Sequence, residues 1–162
     1  MLGASVTQHP EFESLLDHLD QPQYDDIRLS IASVRTNTVT EKLARLLVKH
    51  DTRSITIAVE TGSDRLRRMI NKKLDNDEIV TAAINAKAGG LSAIKLYGMV
   101  GIPTETPADL DQTLVMLKAI KSRARSAFNF GVQYLCAEGS YAVSMVGVDP
   151  QAEKRLKFCR SS

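Results

Sequence analysis

The chain has 162 residues, enough for one domain with a buried core. Its hydrophobic content of 43% and charged content of 25% are typical of a folded protein and argue against intrinsic disorder. The formal net charge of +2 gives no reason to expect nucleic acid or an anionic membrane as a partner, and no apolar run reaches the roughly 18 residues that a membrane-spanning helix needs. We therefore expect a cytoplasmic location.

The predicted elements alternate between strand and helix along the chain. The predicted strands are residues 2–7, 27–34, 55–59, 94–100 and 128–135, and the predicted helices begin near Pro10, Thr40, Ser63, Asp75, Pro107 and Asp149. Such alternation without a hairpin signal is typical of right-handed β-α-β units around a parallel sheet. Five strands do not close a barrel of eight. The sequence therefore predicts either an open sheet or part of a larger barrel. The first predicted strand lacks its beginning, which favours part of a larger barrel.

Several helix ends carry local signals. Asp75 followed by Glu78 resembles a capping box, and Gly89 with Gly90 is the expected stop of that helix. Thr106 before Pro107 predicts the start of another helix.

The segment from Ile94 to Glu105 reads as a short apolar strand that ends in glycines and turns on a proline. Gly98 and Gly101 allow unusual backbone angles and close approach to a ligand, and Pro103 stiffens the turn. A carboxylate follows at Glu105. The segment is either an ordinary strand-to-helix loop or the wall of a binding site, and its spacing alone does not decide between them.

Small or polar residues recur where the predicted strands end. They are Ser5 and Thr7, then Ser33 and Arg35, then Glu60 and Ser63, and finally Tyr97, Gly101 and Glu105. Because the carboxyl ends of parallel strands meet at one edge of a sheet, these residues are expected to converge in space. Each alone is explained as a turn or cap residue, whereas the whole set predicts a binding site.

Two longer motifs resemble a known family. Residues 60–72 read ETGSDRLRRMINK and residues 95–106 read KLYGMVGIPTET, in the order and spacing found in radical S-adenosylmethionine (radical SAM) proteins. The segments SVTQHP at 5–10 and SVR at 33–35 fit the branch with a MiaB/Elp3-like core that often carries a cobalamin-binding domain. The resemblance covers residues 2–133 and resumes at 147–150.

The resemblance implies a partial parallel (β/α) barrel that holds S-adenosylmethionine across its strand ends, with about five β/α units in this chain. Complete members bind a 4Fe-4S cluster through C-x-x-x-C-x-x-C and cleave the cofactor to a 5′-deoxyadenosyl radical. Carried over to this chain, Ala4 and Ser5 would meet the methionine amino group, Glu60 the ribose or methionyl polar atoms, and Lys72 the carboxylate.

The remaining predicted contacts complete that site. Gly101, Ile102 and Pro103 would flank the adenine, with Glu105 bracing their loop, and the predicted site also includes Ser33, Arg35, Ser63 and Tyr97. Simpler explanations remain open for two of them. Lys72 also fits a solvated charge at a helix end, and Glu105 also fits a helix cap.

The chain departs from the family in lacking C-x-x-x-C-x-x-C. Its two cysteines, Cys136 and Cys159, are far apart and predict free thiols, and the three histidines have no metal-ligand spacing, so no metal site is predicted. The cluster motif belongs upstream of Met1. We therefore expect this chain to be inactive alone, with the missing N-terminal part of the barrel as a partner and cobalamin only through a missing upstream domain.

A second departure lies in residues 134–146. They begin YLCAEGSYAVSM where the family typically reads TFVPKAHTPFQW, and a one-nucleotide shift of plausible codons converts the first string into the second. We hypothesise a frameshift near residue 133 and a compensating one near Gly147, which native coding DNA without such slips would refute. The chain then divides into core residues 1–133, a divergent segment 134–146 and a C-terminal helix within 147–162.

Three functions follow in order of preference. The first is the middle and C-terminal part of a radical SAM core. The second is a non-catalytic module that binds S-adenosylmethionine or another protein. The third, an unrelated phosphate-binding α/β enzyme, ranks last because the Gly89-Gly90 pair ends a helix rather than starting one. An incomplete barrel is also expected to be marginally stable and prone to associate.

Overall fold

The computed structural model describes residues 6–31, 33–124, 129–136 and 142–146. Its α-helices are α1 (Phe12–Leu19), α2 (Glu41–Lys49), α3 (Asp64–Met69), α4 (Asn76–Ala88) and α5 (Pro107–Arg123). Its strands are β1 (Ser54–Glu60), β2 (Ala93–Val100), β3 (Asn129–Cys136) and β4 (Ala142–Val146). Single turns of 3-10 helix lie at Val6–Gln8, Pro22–Tyr24 and Thr36–Thr38.

The strands form one four-stranded sheet in the order β1-β2-β3-β4. β1 pairs with β2, and β2 with β3, in parallel, because helices α3 and α4 connect the first pair and α5 connects the second. β3 and β4 are antiparallel. The parallel part confirms the predicted α/β class and places the ends of β1 and β2 side by side, where the predicted site lies.

The helix ends follow their local signals. Asp75 and Glu78 form the predicted capping box at the start of α4, and the side chain of Thr40 accepts a hydrogen bond from Leu43 N–H at the start of α2. α4 is capped by Gly89, and Gly90 takes a φ of 91°. That left-handed conformation suits glycine and lets the chain turn back into β2.

The core lies on one face of the sheet. Burial alternates along β1 and β2, so Ile55, Ile57, Ile94 and Leu96 are buried within the core cluster. The buried side chains of the helices complete this cluster; among them are Leu43, Leu47, Ile79, Ala83, Leu117 and Ile120. The opposite face of the sheet carries partly or well exposed residues, among them Thr56, Ala58, Lys95 and Tyr97. One face is thus apolar and covered by helices, and the other is open.

The predicted strand at residues 27–34 is wrong. That segment is held at separated points: Leu29 N–H donates to the carbonyl of His50 at the end of α2 at 3.3 Å, and Val34 N–H donates to the carbonyl of Thr56 in β1 at 2.9 Å. No strand is assigned between these contacts in the described residues. The alternation of apolar and polar residues in 27–31 therefore reflects an extended segment beside β1, since a strand also requires a continuous ladder with a neighbour.

Two further predictions at the chain ends differ from the structure. Of the predicted strand 2–7, only residues 6 and 7 are described, and they belong to the 3-10 turn Val6–Gln8. The antiparallel pairing of β3 with β4 was not predicted, and β4 falls inside the segment assigned to a frameshift. The frameshift itself and the domain bounds stay predictions. The predicted C-terminal helix lies outside the described residues, as do Ala4 and Ser5.

None of the helices that the structure describes has the length and hydropathy to span a bilayer.

Candidate functional site

An ion pair marks the edge of the sheet where β1 ends. Lys72 Nζ donates to Glu60 Oε1 at 3.0 Å, and the two side chains are 34% and 23% exposed. Glu60 lies at a register irregularity, where β1 skips one residue and Glu60 pairs with Gly98 of β2. Its φ of 64° is left-handed, a conformation that costs a glutamate about 1 kcal/mol. Backbone strain of this kind accumulates at functional sites, which makes Glu60 a candidate.

The other partner, Lys72, is positioned by the end of α3. Asn71 has a φ of 56°, its N–H donates to the Arg68 carbonyl at 3.1 Å, and Lys72 N–H donates to the Arg67 carbonyl at 2.7 Å. These two bonds and the left-handed residue constitute a Schellman motif. Asparagine tolerates the left-handed conformation better than most side chains. The Asn-Lys pair in the sequence therefore ends the helix and directs the chain so that Lys72 meets Glu60.

A cavity of about 460 Å³ opens beside this pair. Its lining residues are Thr7, Ser33, Val34, Arg35, Thr36, Asn37, Ala58, Asn71, Lys72, Lys73, Leu74 and Glu78. The lining combines three cationic side chains and one carboxylate, that of Glu78, with hydroxyl and amide groups, so positive charge is in excess. Its volume lies in the range of small-molecule pockets, and its chemistry suits a polar ligand that carries a carboxylate or phosphate.

The loop after β2 is the second part of the candidate site. Gly101 has a φ of 82°, and its N–H donates to Glu105 Oε2 at 2.7 Å. Glu105 N–H in turn donates to the Ile102 carbonyl at 2.8 Å, and the Ile102 side chain is buried. Glu105 thus closes the loop onto itself, and the loop starts three residues after Gly98, the register partner of Glu60.

A buried carboxylate joins this loop to the end of β1. Asp109 is 2% exposed and accepts hydrogen bonds from Ser63 Oγ, from Thr106 N–H at 2.8 Å and from Arg65 Nη2 at 2.6 Å. The Arg65 guanidinium holds the pKa of the Asp109 carboxyl well below its usual range, with further lowering from the Ser63 and Thr106 hydrogen bonds. Asp109 is therefore ionised and accepts hydrogen bonds both from the segment after β1, through Ser63, and from the end of the loop after β2, through Thr106.

Gly62 packs directly on α5. Its N–H donates to Thr113 Oγ1 at 2.9 Å, and a Cβ at this position would lie 2.3 Å from the Thr113 Cα. No side chain fits at that distance, so the glycine two residues after Glu60 is required by close backbone packing.

The structure brings together only part of the predicted set. Ser33, Arg35 and Lys72 line the cavity, and Glu60 is joined to it through Lys72. Ser63 is buried, caps α3 and donates to Asp109. The loop residues Gly101, Ile102, Pro103 and Glu105 do not line the cavity; they follow β2, the strand that pairs with β1, and Tyr97 lies on the open face of the sheet. Cofactor contacts by any of these residues stay predictions.

Sequence reasoning missed residues that the structure places at the site. Thr36, Asn37 and Lys73 line the cavity, and Lys73 follows Lys72 directly, so a pair of adjacent lysines was an available signal. Arg65 and Asp109 were not selected because they are 44 residues apart in sequence. Within the described residues, no group of three His, Cys, Asp or Glu side chains has the geometry to hold a metal ion.

One family model and several known proteins match this chain. The family model described as "Radical SAM superfamily" matches residues 1–117. An uncharacterized protein of Methanocaldococcus jannaschii is 34% identical over 158 residues, which is 98% of this chain and 34% of that protein. An uncharacterized methyltransferase of Pyrococcus horikoshii is 28% identical over 89 residues, 55% of this chain and 19% of that protein.

Two further similarities are to characterised enzymes. A tRNA-2-methylthio-N(6)-dimethylallyladenosine synthase of Roseobacter denitrificans is 30% identical over 104 residues, 62% of this chain and 22% of that enzyme. The solved structure of coproporphyrinogen III oxidase (HemN) from Escherichia coli, described as a radical SAM enzyme, aligns with a TM-score of 0.53 and 16% identity over 77% of this chain and 29% of that one. The chain thus spans about a third or less of each of these proteins.

Proposed function

This chain belongs to the radical SAM superfamily, and we propose that its described residues form a large part of a site for S-adenosylmethionine. The similarity to HemN supports the predicted fold, a part of the radical SAM barrel. The sheet edge formed by the ends of β1 and β2 is where ligands bind in parallel α/β sheets.

The observation that carries the proposal is the Glu60–Lys72 pair beside the cationic cavity. S-adenosylmethionine presents a carboxylate, an ammonium group, two ribose hydroxyls and a sulfonium cation. Lys72, with Arg35 nearby on the cavity wall, supplies positive charge for the carboxylate, and Glu60 supplies an acceptor for the ribose hydroxyls or the ammonium group. The two charges also pair with each other, with Lys72 Nζ 3.0 Å from Glu60 Oε1.

The loop Gly101 to Glu105 supplies the remaining surface in this proposal. An adenine ring needs a flat, close contact and backbone hydrogen-bonding groups, and Gly101 has no side chain to block that approach. Ile102 and Pro103 add apolar surface, while Glu105 holds the loop through the Gly101 N–H. The donor set of the described residues therefore fits the cofactor.

The iron-sulfur cluster of the superfamily does not fit this chain. A 4Fe-4S cluster bound by three thiolates requires three cysteines close together, and the sequence contains two, 23 positions apart. In complete members the cluster reduces S-adenosylmethionine, which yields a 5′-deoxyadenosyl radical. We propose that the thiolates come from protein outside this sequence and that this chain alone binds the cofactor without cleaving it. A role for cobalamin is suggested only by the sequence resemblance to the branch that often carries a cobalamin-binding domain.

The similar proteins do not share one reaction, so they do not identify a reaction for a protein that contains this chain. One similar protein is named a methyltransferase, another a methylthio-adenosine synthase of tRNA, and the similar structure is that of a porphyrinogen oxidase. A shared fold with different reactions supports only the shared cofactor, because specificity depends on the residues around the substrate.

A binding measurement tests the proposal. We expect S-adenosylmethionine to bind the wild-type chain in isothermal titration calorimetry, and the Lys72→Met variant to bind about tenfold or more weakly, since a charge-assisted contact is lost. The matched control is Lys118→Met, which removes an exposed lysine of α5. Absence of binding to the wild-type chain, or equal affinities of the two variants, contradicts the proposed site.

A further inference from the structure

Two left-handed residues make the loop after β2 depend on outside support. Thr104 has a φ of 69° and Gly101 a φ of 82°. Glycine accepts such an angle readily, but for threonine, which is branched at Cβ, it is a true outlier. A strained conformation persists only where surrounding contacts hold it, so the contacts of Thr104 identify what fixes the loop.

Helix α3 supplies those contacts, from Arg65 and from Met69, whose Sδ accepts from Thr104 Oγ1 at 3.4 Å; the contacts of Arg65 reach furthest. Arg65 Nη2 donates to the Thr104 carbonyl at 2.8 Å, and its Nη1 lies 3.3 Å from Thr104 Oγ1. The same guanidinium donates to both carboxylate oxygens of Asp109, from Nε at 3.3 Å and from Nη2 at 2.6 Å. One planar fork therefore bridges the loop and the first turn of α5, which a lysine ammonium cannot do with the same geometry.

Asp109 connects this bridge to the end of β1. The buried carboxylate accepts from Ser63, three residues after Glu60, and from Thr106, directly after the loop. Thr106 donates through both its N–H and its hydroxyl, the latter at 2.6 Å. The end of β1 and the loop after β2 are thus held to one buried group, which fixes their separation.

We propose that Arg65 and Asp109 are positioning residues that hold the loop from Gly101 to Glu105 against the strand end that carries Glu60. The inference rests on the proposed function, in which that loop flanks the adenine of S-adenosylmethionine. Neither residue contacts the cavity beside Lys72, so their effect on the ligand acts through the loop.

The test compares Arg65→Gln with Arg68→Gln. Both residues lie on α3 and both substitutions remove one positive charge, but Arg68 reaches only the Asp64 carbonyl, at 3.2 Å, among the described contacts. The first readout is hydrogen exchange of the Gly101 amide, measured by NMR without ligand. We expect it to be about tenfold or more faster in Arg65→Gln than in the wild-type chain, because the loop opens more often, and unchanged in Arg68→Gln.

The second readout is ligand selectivity at a temperature where every variant is folded. S-adenosylmethionine and 5′-methylthioadenosine, which contain adenine, are expected to bind Arg65→Gln about tenfold more weakly. Methionine, which reaches only the Lys72 side of the site, is expected to bind equally to all variants. A general loss of stability would weaken the binding of methionine as much as the binding of the two adenine-containing ligands. Arg65→Lys keeps the charge at this half-exposed position and is expected to lie between wild type and Arg65→Gln.

The outcomes distinguish this inference from the proposed function. Equal exchange of Gly101 in Arg65→Gln and Arg68→Gln overturns the positioning role, whether or not any ligand binds. Faster exchange with unchanged affinity for both adenine ligands also overturns it, since the loop would then not support the site. A wild-type chain that binds no S-adenosylmethionine overturns the proposed function instead.

Discussion

Asn71 is the residue whose backbone angle positions the cation of the candidate site. Its φ of 56° completes the Schellman motif that turns the chain from α3 toward Lys72. In alanine the left-handed angle brings the Cβ too close to the following carbonyl oxygen, which costs free energy, whereas glycine has no Cβ and avoids this contact. We therefore expect Asn71→Ala to lower the free energy of unfolding by about 1 kcal/mol and Asn71→Gly to change it by less than about half of that. Urea denaturation of the two variants checks this, and equal losses would contradict the role of the backbone angle.

Asp109 gives the stability of the chain a pH dependence at low pH. Because the pKa of its carboxyl is lower in the folded than in the unfolded chain, its contribution is fully present above the unfolded pKa and is lost as pH falls through the folded pKa. We expect Asp109→Asn to be less stable than wild type near pH 7, with the difference shrinking as pH falls below about 4. Thermal unfolding at several pH values measures it. Asp111→Asn, on an exposed position of α5, is the control, and a difference that grows in acid would contradict the assignment.

The contact between Gly62 and α5 joins two elements that sequence reasoning treated separately. With the Thr113 Cα 2.3 Å from a Cβ at position 62, Gly62→Ala forces the strand end and the helix apart. We expect a loss of about 2–3 kcal/mol in the free energy of unfolding, toward the upper end of the roughly 1–3 kcal/mol typical of overpacked sites. Thr113→Ser, which keeps the hydroxyl that accepts from Gly62, is expected to cost much less. A Gly62→Ala variant as stable as Thr113→Ser would show that the helix can move away freely.

The elements that could be predicted are those whose signals are local. The capping box of Asp75 with Glu78 and the glycine stop at Gly89 each lie within a few residues, and both are present. The strand predicted at 27–34 failed because a strand depends on a neighbour elsewhere in the chain. The pairing of β3 with β4 was missed although Gly139 and Ser140 lie among the five residues between the strands and were an available turn signal, because residues 134–146 were interpreted as frameshifted.

The candidate site was predictable only as far as topology determines it. Parallel strands bring Glu60 and Gly101 to one edge, and this follows from the strand assignment. The contact of Lys72 with Glu60 depends on the left-handed angle at Asn71, and the Arg65–Asp109 bridge depends on how α3 and α5 pack. Such side-chain contacts between elements have no signature in the spacing of residues along the chain.

The molecule as a whole has a covered face and an open face of its sheet. The helices cover the face that carries Leu96, while Tyr97 and Lys95 are exposed, with no covering element in the part of the chain that the structure describes. In a (β/α) barrel the helices form the outer ring, so the open face of this sheet corresponds to the barrel interior. The cavity and the Glu60–Lys72 pair lie at the end of that open face, so the proposed ligand-binding edge and the open surface belong to one side of the molecule.

Truncation of two neighbouring residues of β2 is therefore expected to lower the stability by very different amounts. Leu96 is fully buried, and Leu96→Ala is expected to cost about 2–5 kcal/mol in the free energy of unfolding. Tyr97 is 41% exposed, and Tyr97→Ala is expected to cost about 1 kcal/mol or less. Because Tyr97 adds apolar surface to the open face, its removal should also weaken concentration-dependent association, measured by sedimentation velocity beside urea denaturation. Equal destabilisation by the two substitutions would mean that the face of Tyr97 is covered in solution. Association of Tyr97→Ala as strong as that of the wild-type chain would mean that copies of the chain contact each other through another surface.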